Sequence, residues 1–297
     1  MFFDVHVHVY RSDVPLADGA TRFPTLDEVL RRHDEAGIHG GFVLPLIGPE
    51  TYLPQSNEDV LDICAASGGR LLPFCNIDPR AMNNAPDSPL GDWLAHYKAR
   101  GCKGIGEVMA NLPVSDPRYQ NLFRHAEALG LPINIDMTGH LGKYYGLYDD
   151  PGMPQFEATL ARFPKLIFLG HGPAFWAEIA ALRTPDDRKS YPHYPVEAEG
   201  AVPRLMRQYP SLYGDLSAGS GCNALTRDPA YAARFLNEFQ DRLLFGTDLC
   251  SAGAGLPLPK FLLDLRTKGI LDEAAFEKIA WKNAVRLFGP ECAPKRA

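Results

Sequence analysis

The sequence predicts an α/β fold, a (β/α)8 TIM barrel with an extra C-terminal helix, and three observations carry that expectation. Eight short apolar runs recur along the 297 residues, each is followed by a segment of helical periodicity, and no glycine-rich phosphate loop follows the first run. Strict alternation of nearly continuous apolar strands with helices makes a parallel sheet, and eight such units make one that closes on itself. A doubly wound open sheet is the rival, but it ordinarily has fewer strands and carries that phosphate loop.

The strands are expected at Phe2 to Val9, Gly41 to Ile47, Leu71 to Ile77, Cys102 to Val108, Leu131 to Met137, Leu166 to Gly170, Leu212 to Leu216 and Leu243 to Thr247. Helices follow them at Thr25 to Ala36, Asn57 to Ala66, Leu90 to Ala99, Pro117 to Leu129, Gln155 to Arg162, Val196 to Gln208, Ala230 to Phe239 and Leu258 to Thr267. Glycines close several of them, as in EAGIHG, KARGCKG and EALGLP, where a left-handed stop hands the chain to the next strand. Past the eighth unit, Glu273 to Leu287 reads as one more helix ending at Gly289, able to dock and close the barrel. The length is near the roughly 250 residues of one such barrel, and no linker or repeat divides the chain, so residues 1–297 are read as one domain.

The 27 glycines and 26 prolines fall largely between the periodic segments. Three loops exceed ordinary length: Tyr10 to Pro24, Met137 to Pro154 and His171 to Tyr194. Each follows a strand, which assigns all three to the face where barrel enzymes carry their sites.

Composition excludes several classes. With 45% hydrophobic and 22% charged residues the chain has material for a large core. A net charge of −6 without a long Lys/Arg cluster gives no reason to bind nucleic acid. No stretch approaches 18 uninterrupted apolar residues, so no membrane span is expected. The opening MFFDVHVHVY lacks a basic leader and a cleavage site, and reads as a strand. Six scattered cysteines without a CxxC pair suit free thiols in a reducing cytoplasm, Cys250 standing out because it lies two residues after Asp248.

The chemistry begins on the first strand. His6 and His8 lie two apart, so period-2 geometry turns both imidazoles, with Asp4, to one face. They can share a metal ion or serve as hydrogen-bonded core histidines. Asp248 follows LLFGT at the end of the eighth strand, which neighbours the first in a closed barrel; on position alone it is either a ligand or an N-cap. His171 ends the sixth strand in IFLGHGPAFW and Glu107 ends the fourth in GCKGIGEVM, each open to a plain hydrogen-bonding or ion-pairing role. Five coordinating or acid/base groups at the ends of four strands point to a site.

HVH on strand one, GHGPAFW on strand six, FGTD on strand eight and the closing KNAVRLFG resemble the amidohydrolase superfamily, and within it the family-2 amidohydrolases, over essentially the whole chain. The resemblance implies a metal-dependent hydrolase domain with His6 and His8 as metal ligands. It further implies Asp248 as ligand or proton shuttle and His171 as ligand or substrate-polarising group. Glu107 matches a strand-four carboxylate of part of the family and is placed with the metal. One departure stands out: the fifth strand reads LPINIDMT, so Asp136 occupies the position where the family usually carries a histidine. An aspartate ligates through oxygen, which tolerates Mn or Mg better than a histidine-rich zinc site does. His140, close behind it, can partly substitute. Alternatively the metal is held weakly or is absent, as in the metal-independent lactonases of the group.

The expected cofactor is one divalent ion, zinc first, with Mn or Mg as alternatives. The expected reaction is hydrolysis of a small amide, ester or lactone by metal-activated water, with Asp248 as general base and His171 or the metal stabilising the oxyanion. Asp136, His140, Tyr144 and Trp176 are read as substrate-facing. Lys143, Tyr145, Arg183, Arg188 and Lys189 can bind a substrate carboxylate or simply be solvated. The rival activity is non-oxidative decarboxylation of a small unsaturated or aromatic acid; Glu107 and the missing strand-five histidine tilt the reading to hydrolysis. A third reading, a barrel that has lost catalysis, is opposed by the joint retention of His6, His8, His171 and Asp248. The expected partner is a small-molecule substrate, and a homo-oligomer is compatible with the sequence.

Overall fold

The computed structural model describes residues 1–16 and 18–295. Its first elements are β1 (Phe2–Val7), α1 (Leu26–Ala36), β2 (Ile38–Val43), α2 (Asn57–Ala66), β3 (Leu71–Pro73), α3 (Leu90–Ala99), β4 (Ile105–Val108), α4 (Pro117–Leu129) and β5 (Ile133–Thr138). Then come β6 (Leu147–Tyr148), α5 (Pro154–Arg162), β7 (Phe168–His171), α6 (Pro173–Ala177), a 3-10 turn (Pro185–Lys189), α7 (Ala201–Gln208) and β8 (Leu212–Asp215). The chain finishes with α8 (Ala218–Thr226), α9 (Pro229–Glu238), β9 (Leu243–Leu244), α10 (Pro257–Thr267), α11 (Glu273–Glu277), a π-helical turn (Lys278–Lys282) and α12 (Asn283–Phe288). These elements fall into two compact units, one of Met1–Leu44, Glu58–Pro73 and the chain from Asp215 onward, the other of Pro45–Asn57 and Phe74–Gly214.

In the first unit β1 pairs in parallel with β2 and β2 with β3, while a parallel bridge joins Val7 to Leu249. Val7, Val9, Val29, Val43, Val60 and Ile63 pack with Leu249 into an aliphatic core, each such side chain stabilising the fold by about 1.5–3 kcal/mol when fully buried. α1 starts where Thr25 and Glu28 form a reciprocal capping box and stops at Gly37, which adopts φ 70°. The expected helix Glu273 to Leu287 is interrupted by the π turn, and the reason is a set of contacts distant in sequence. The Ile279 carbonyl accepts the Phe245 N–H at 3.1 Å, and Asn283 Nδ2 donates to the carbonyls of Gln240 and Leu243 at 2.7 and 2.8 Å. The terminal helix is thus bonded to the β9 segment, at a cost to its own ladder.

In the second unit β4, β5, β7 and β8 run side by side in parallel, and the register sets Asp136 beside His171. Phe123 and Phe156 meet the Phe168 ring edge-on at 5.2 and 5.4 Å, forming its aromatic core. The short β6, unexpected from sequence, adds to the end of β5. The long segment after His171 is structured by α6 and the 3-10 turn. The helix expected from Val196 starts only at Ala201, because the Ala181 N–H bonds the Ala198 carbonyl at 2.8 Å and keeps that stretch extended. Strands expected to run to Ile77 and Thr247 are continuous only to Pro73 and Leu244, with isolated parallel bridges beyond them at Cys75 and Leu249. Among the described residues no helix is long and apolar enough to cross a membrane.

Candidate metal centre and catalytic residues

In the first unit the Nε2 atoms of His6 and His8 are 3.2 Å apart, and Asp248 Oδ1 lies 3.7 and 3.2 Å from them. What the far ring nitrogens touch decides what this triangle is. His8 Nδ1 lies 2.8 Å from the Leu44 carbonyl, which only accepts, so Nδ1 carries the proton. His6 Nδ1 faces Asp215 Oδ2 at 2.7 Å, and a carboxylate likewise takes a proton donor. In their neutral forms both histidines therefore turn an Nε2 lone pair toward the other and toward a carboxylate oxygen. Three electron-rich atoms at this spacing repel one another unless a cation lies between them. The spacing is also near the ligand-to-ligand distance of about 3.4 Å implied by a tetrahedral ion with bonds of about 2.1 Å, so the donor set fits a divalent metal.

Each member is held from behind. Asp4, wholly buried, accepts from the His6 N–H at 3.0 Å, the Thr247 N–H at 2.9 Å and the Thr247 hydroxyl at 2.6 Å, and its Oδ2 lies 3.1 Å from His33 Nε2 on α1. One carboxylate thus ties β1 to the turn that presents Asp248. That turn is strained: Asp248 has φ 51°, fixed by its N–H bonding the His6 carbonyl at 2.8 Å. Its side chain is 19% exposed while those of His6 and His8 are at most 1%, so within this group the carboxylate is what reaches solvent.

In the second unit Glu107, Asp136 and His171, all buried, offer ligand atoms within 4.8 Å of one another, and His171 Nε2 lies 3.6 Å from Glu107 Oε1. Two glycines shape this group. A Cβ on Gly172, at φ 94°, would lie 2.0 Å from Asp136 Oδ1, and one on Gly146, at φ 91°, 2.7 Å from Asp136 Oδ2. The Asp136 carboxylate is therefore flanked by bare backbone, which brings it up to the loops after β5 and β7.

Those loops are also joined by charge. Arg188, from the 3-10 turn, is buried with its Nε 2.8 Å from Glu178 Oε1, and it donates to the Asp149 carbonyl. Burial pushes the Glu178 carboxyl up to about 7, against the downward pull of Arg188 and of the Gly152 N–H, and burial likewise raises Asp149. Arg188, a candidate carboxylate binder by sequence, is thus a structural ion, whereas Arg183 and Lys189 are exposed and paired with Glu197 and Asp186.

Of the other candidates, the His140 ring lies 4.4 Å from that of Tyr144, which stacks on Tyr145 at 4.8 Å, while Trp176 is buried edge-on to Phe175. Cys250 is half-buried and the other five cysteines are buried. Sequence reading overlooked Asp215, Thr247 and Ser217, whose hydroxyl lies 3.2 Å from His6 Nδ1. The signal for Asp215 was available, since it ends β8 as Glu107 nearly ends β4 and His171 ends β7.

Parallel strands alternate with helices, and a His-His-Asp donor group that could hold a metal ion lies at strand ends. The chain belongs to the amidohydrolase family, whose model matches residues 4–289. Members of this family are enzymes, hydrolases or decarboxylases, and the chain is one of them. No curated protein matches it. Among solved structures it is similar to an uncharacterised TIM-barrel protein from Bordetella bronchiseptica, at 16% identity and TM-score 0.63, covering 98% of this chain and 99% of that one. A probable 2-pyrone-4,6-dicarboxylic acid hydrolase from Acinetobacter baumannii, crystallised with citric acid bound, matches at 14% identity and TM-score 0.58, covering 97% and 98%. The 2,6-dihydroxybenzoate decarboxylase from Rhizobium matches at 17% and 0.57, covering 97% and 99%. These likenesses show the fold, that of the (β/α)8 TIM barrel.

Proposed function

We propose that the chain is a metal-dependent hydrolase of a small lactone, ester or amide, with His6, His8 and Asp248 holding one divalent ion, zinc before Mn or Mg. The observation that supports it is the facing of two Nε2 lone pairs at 3.2 Å beside the Asp248 carboxylate. A divalent ion held there by His6, His8 and Asp248 would make water acidic enough to supply hydroxide near neutral pH. Asp215 and the Leu44 carbonyl keep the histidine protons on Nδ1, so both Nε2 atoms stay available as ligands. Asp248, partly exposed, takes a proton on its carboxylate from the attacking water and passes it to the departing oxygen or nitrogen. His171 is assigned the role of polarising the substrate carbonyl, and Glu107 and Asp136, beside it, the role of orienting its ring.

The decisive experiment is elemental analysis of protein purified without added metal, followed by assays of a lactone and ester panel before and after chelation. About one metal per chain, with hydrolysis lost on chelation and restored by zinc or manganese, is the expected outcome. Hydrolysis that survives complete chelation overturns the metal role, and carbon dioxide release from aromatic acids without hydrolysis overturns the reaction.

A further inference from the structure

Asp248 is a strained residue at the start of a loosely packed loop. It stands at φ 51°, and a Cβ built on Gly253 or Gly255, a few residues on, would meet nothing within 4 Å. Strain of this kind persists only where the surroundings over-determine the backbone. Here two adjacent side chains of helix α1 supply much of that constraint.

His33, wholly buried, sets its Nε2 3.1 Å from Asp4 Oδ2. The same oxygen accepts the Thr247 hydroxyl at 2.6 Å, and that hydroxyl in turn accepts the Leu249 N–H at 3.1 Å. A line of bonds thus runs from His33 through Asp4 and Thr247 to Leu249, spanning Asp248 from the residue before it to the residue after. Asp4 accepts four donors in all, enough to fill the lone-pair sites of a carboxylate. Three come from β1 and the turn itself; the fourth, His33, fixes the carboxylate from outside them.

Arg32 acts farther along the loop. Its Nη1 donates to the Ala252 carbonyl at 2.8 Å and its Nη2 to that of Ala254, while the Ala252 N–H bonds the Arg22 carbonyl at 3.0 Å. Between these two anchors Leu249 bridges to Val7 of β1 and packs with Val29 of α1.

We infer that His33 and Arg32 are positioning residues for Asp248: helix α1 sets the direction of that carboxylate, through Asp4 and Thr247 on one side and the carbonyls of Ala252 and Ala254 on the other. The inference rests on the hydrolase reading for the part Asp248 plays in turnover, but the hold on the turn is measured without turnover.

The test is amide hydrogen exchange on the full-length protein, set beside steady-state kinetics. His33→Phe keeps a buried ring and removes the donor. The Asp248 and Leu249 amides then exchange about tenfold faster or more. Turnover, kcat, falls by about 10- to 100-fold at nearly constant KM, as a slightly misplaced reacting group requires. His33→Gln, whose amide can donate to Asp4, restores most of both. In an Asp248→Asn background His33→Phe lowers kcat no further, because both changes remove the same contribution. Arg32→Met leaves the buried histidine in place and is the second variant should His33→Phe not fold; it speeds exchange at Ala252 and Ala254 and lowers kcat with the same dependence on Asp248.

Faster exchange confined to residues 247–254 sustains the positioning role even where no ester, lactone or amide is hydrolysed, so failure of the hydrolase reading shows separately. Unchanged exchange at Asp248 and Leu249 in folded His33→Phe overturns the inference. So does an even loss of protection over β1, β2 and α1, or a loss of kcat that adds fully to that of Asp248→Asn, since either marks a residue needed only for folding.

Discussion

His6 and Asp215 meet at 2.7 Å, Nδ1 to Oδ2, with both side chains fully buried and their positions 209 apart in the chain. The carboxylate holds the proton on Nδ1 and so decides that Nε2 is a ligand. Asp215→Asn can present an amide N–H to that nitrogen and shift the proton to Nε2. Metal affinity should fall by about 10- to 100-fold, the range typical of groups that orient a ligating histidine. Competition with a chromophoric chelator measures it, and unchanged affinity would remove Asp215 from the centre.

Asp248 joins the ligand triangle and also reaches solvent. Asp248→Asn keeps the shape and an oxygen donor but removes the base, so kcat should fall by about 10² to 10⁴ while KM changes little. Steady-state kinetics on the best substrate of the lactone and ester panel decides this. Turnover within a factor of a few of the native enzyme would hand the role of base to another group.

Gly172 cannot carry a side chain without striking Asp136, since the added Cβ would sit 2.0 Å from Oδ1 and the backbone is at φ 94°. Gly172→Ala should cost about 3 kcal/mol or more through strain and displacement of a buried carboxylate. Urea denaturation reads the loss. A variant within 0.5 kcal/mol of native, roughly the effect of an ordinary surface change, would show that this contact relaxes freely.

Glu178 sets a pH dependence of stability. Its carboxyl is raised from about 4.5 to about 7 in the folded protein, so between those values the native state holds a proton that the unfolded chain has released. Stability must then fall as pH rises through that window, by up to about 3 kcal/mol, and level off above it. Glu178→Gln, though weakened overall by leaving Arg188 without its partner, should show a flatter profile between pH 4.5 and 7. Identical slopes for both proteins in thermal melts across that range would place the proton elsewhere.

Local rules made much of this protein legible in its sequence. Period-2 alternation on an apolar strand is enough to put His6 and His8 on one face, and Asp248, Glu107 and His171 could be picked out because each sits at or just past a strand end. Helices α1 and α4 announce themselves by a capping box, a Pro at the first position and left-handed glycine stops, all of which act within a few residues. Other features depend on groups far apart in the chain. The sequence showed Arg188 as one more loop cation, and only packing buried it against Glu178. Nothing local distinguishes the π turn at Lys278–Lys282 from a continuous helix, because the Phe245 N–H that captures the Ile279 carbonyl comes from 34 residues away. The proton positions on His6 and His8 are likewise set by Asp215 and Leu44, and Asp136 by two glycines that lie on different loops. Backbone periodicity determines which face a side chain takes, whereas its tautomer, charge and freedom to bind depend on the atoms that packing brings against it.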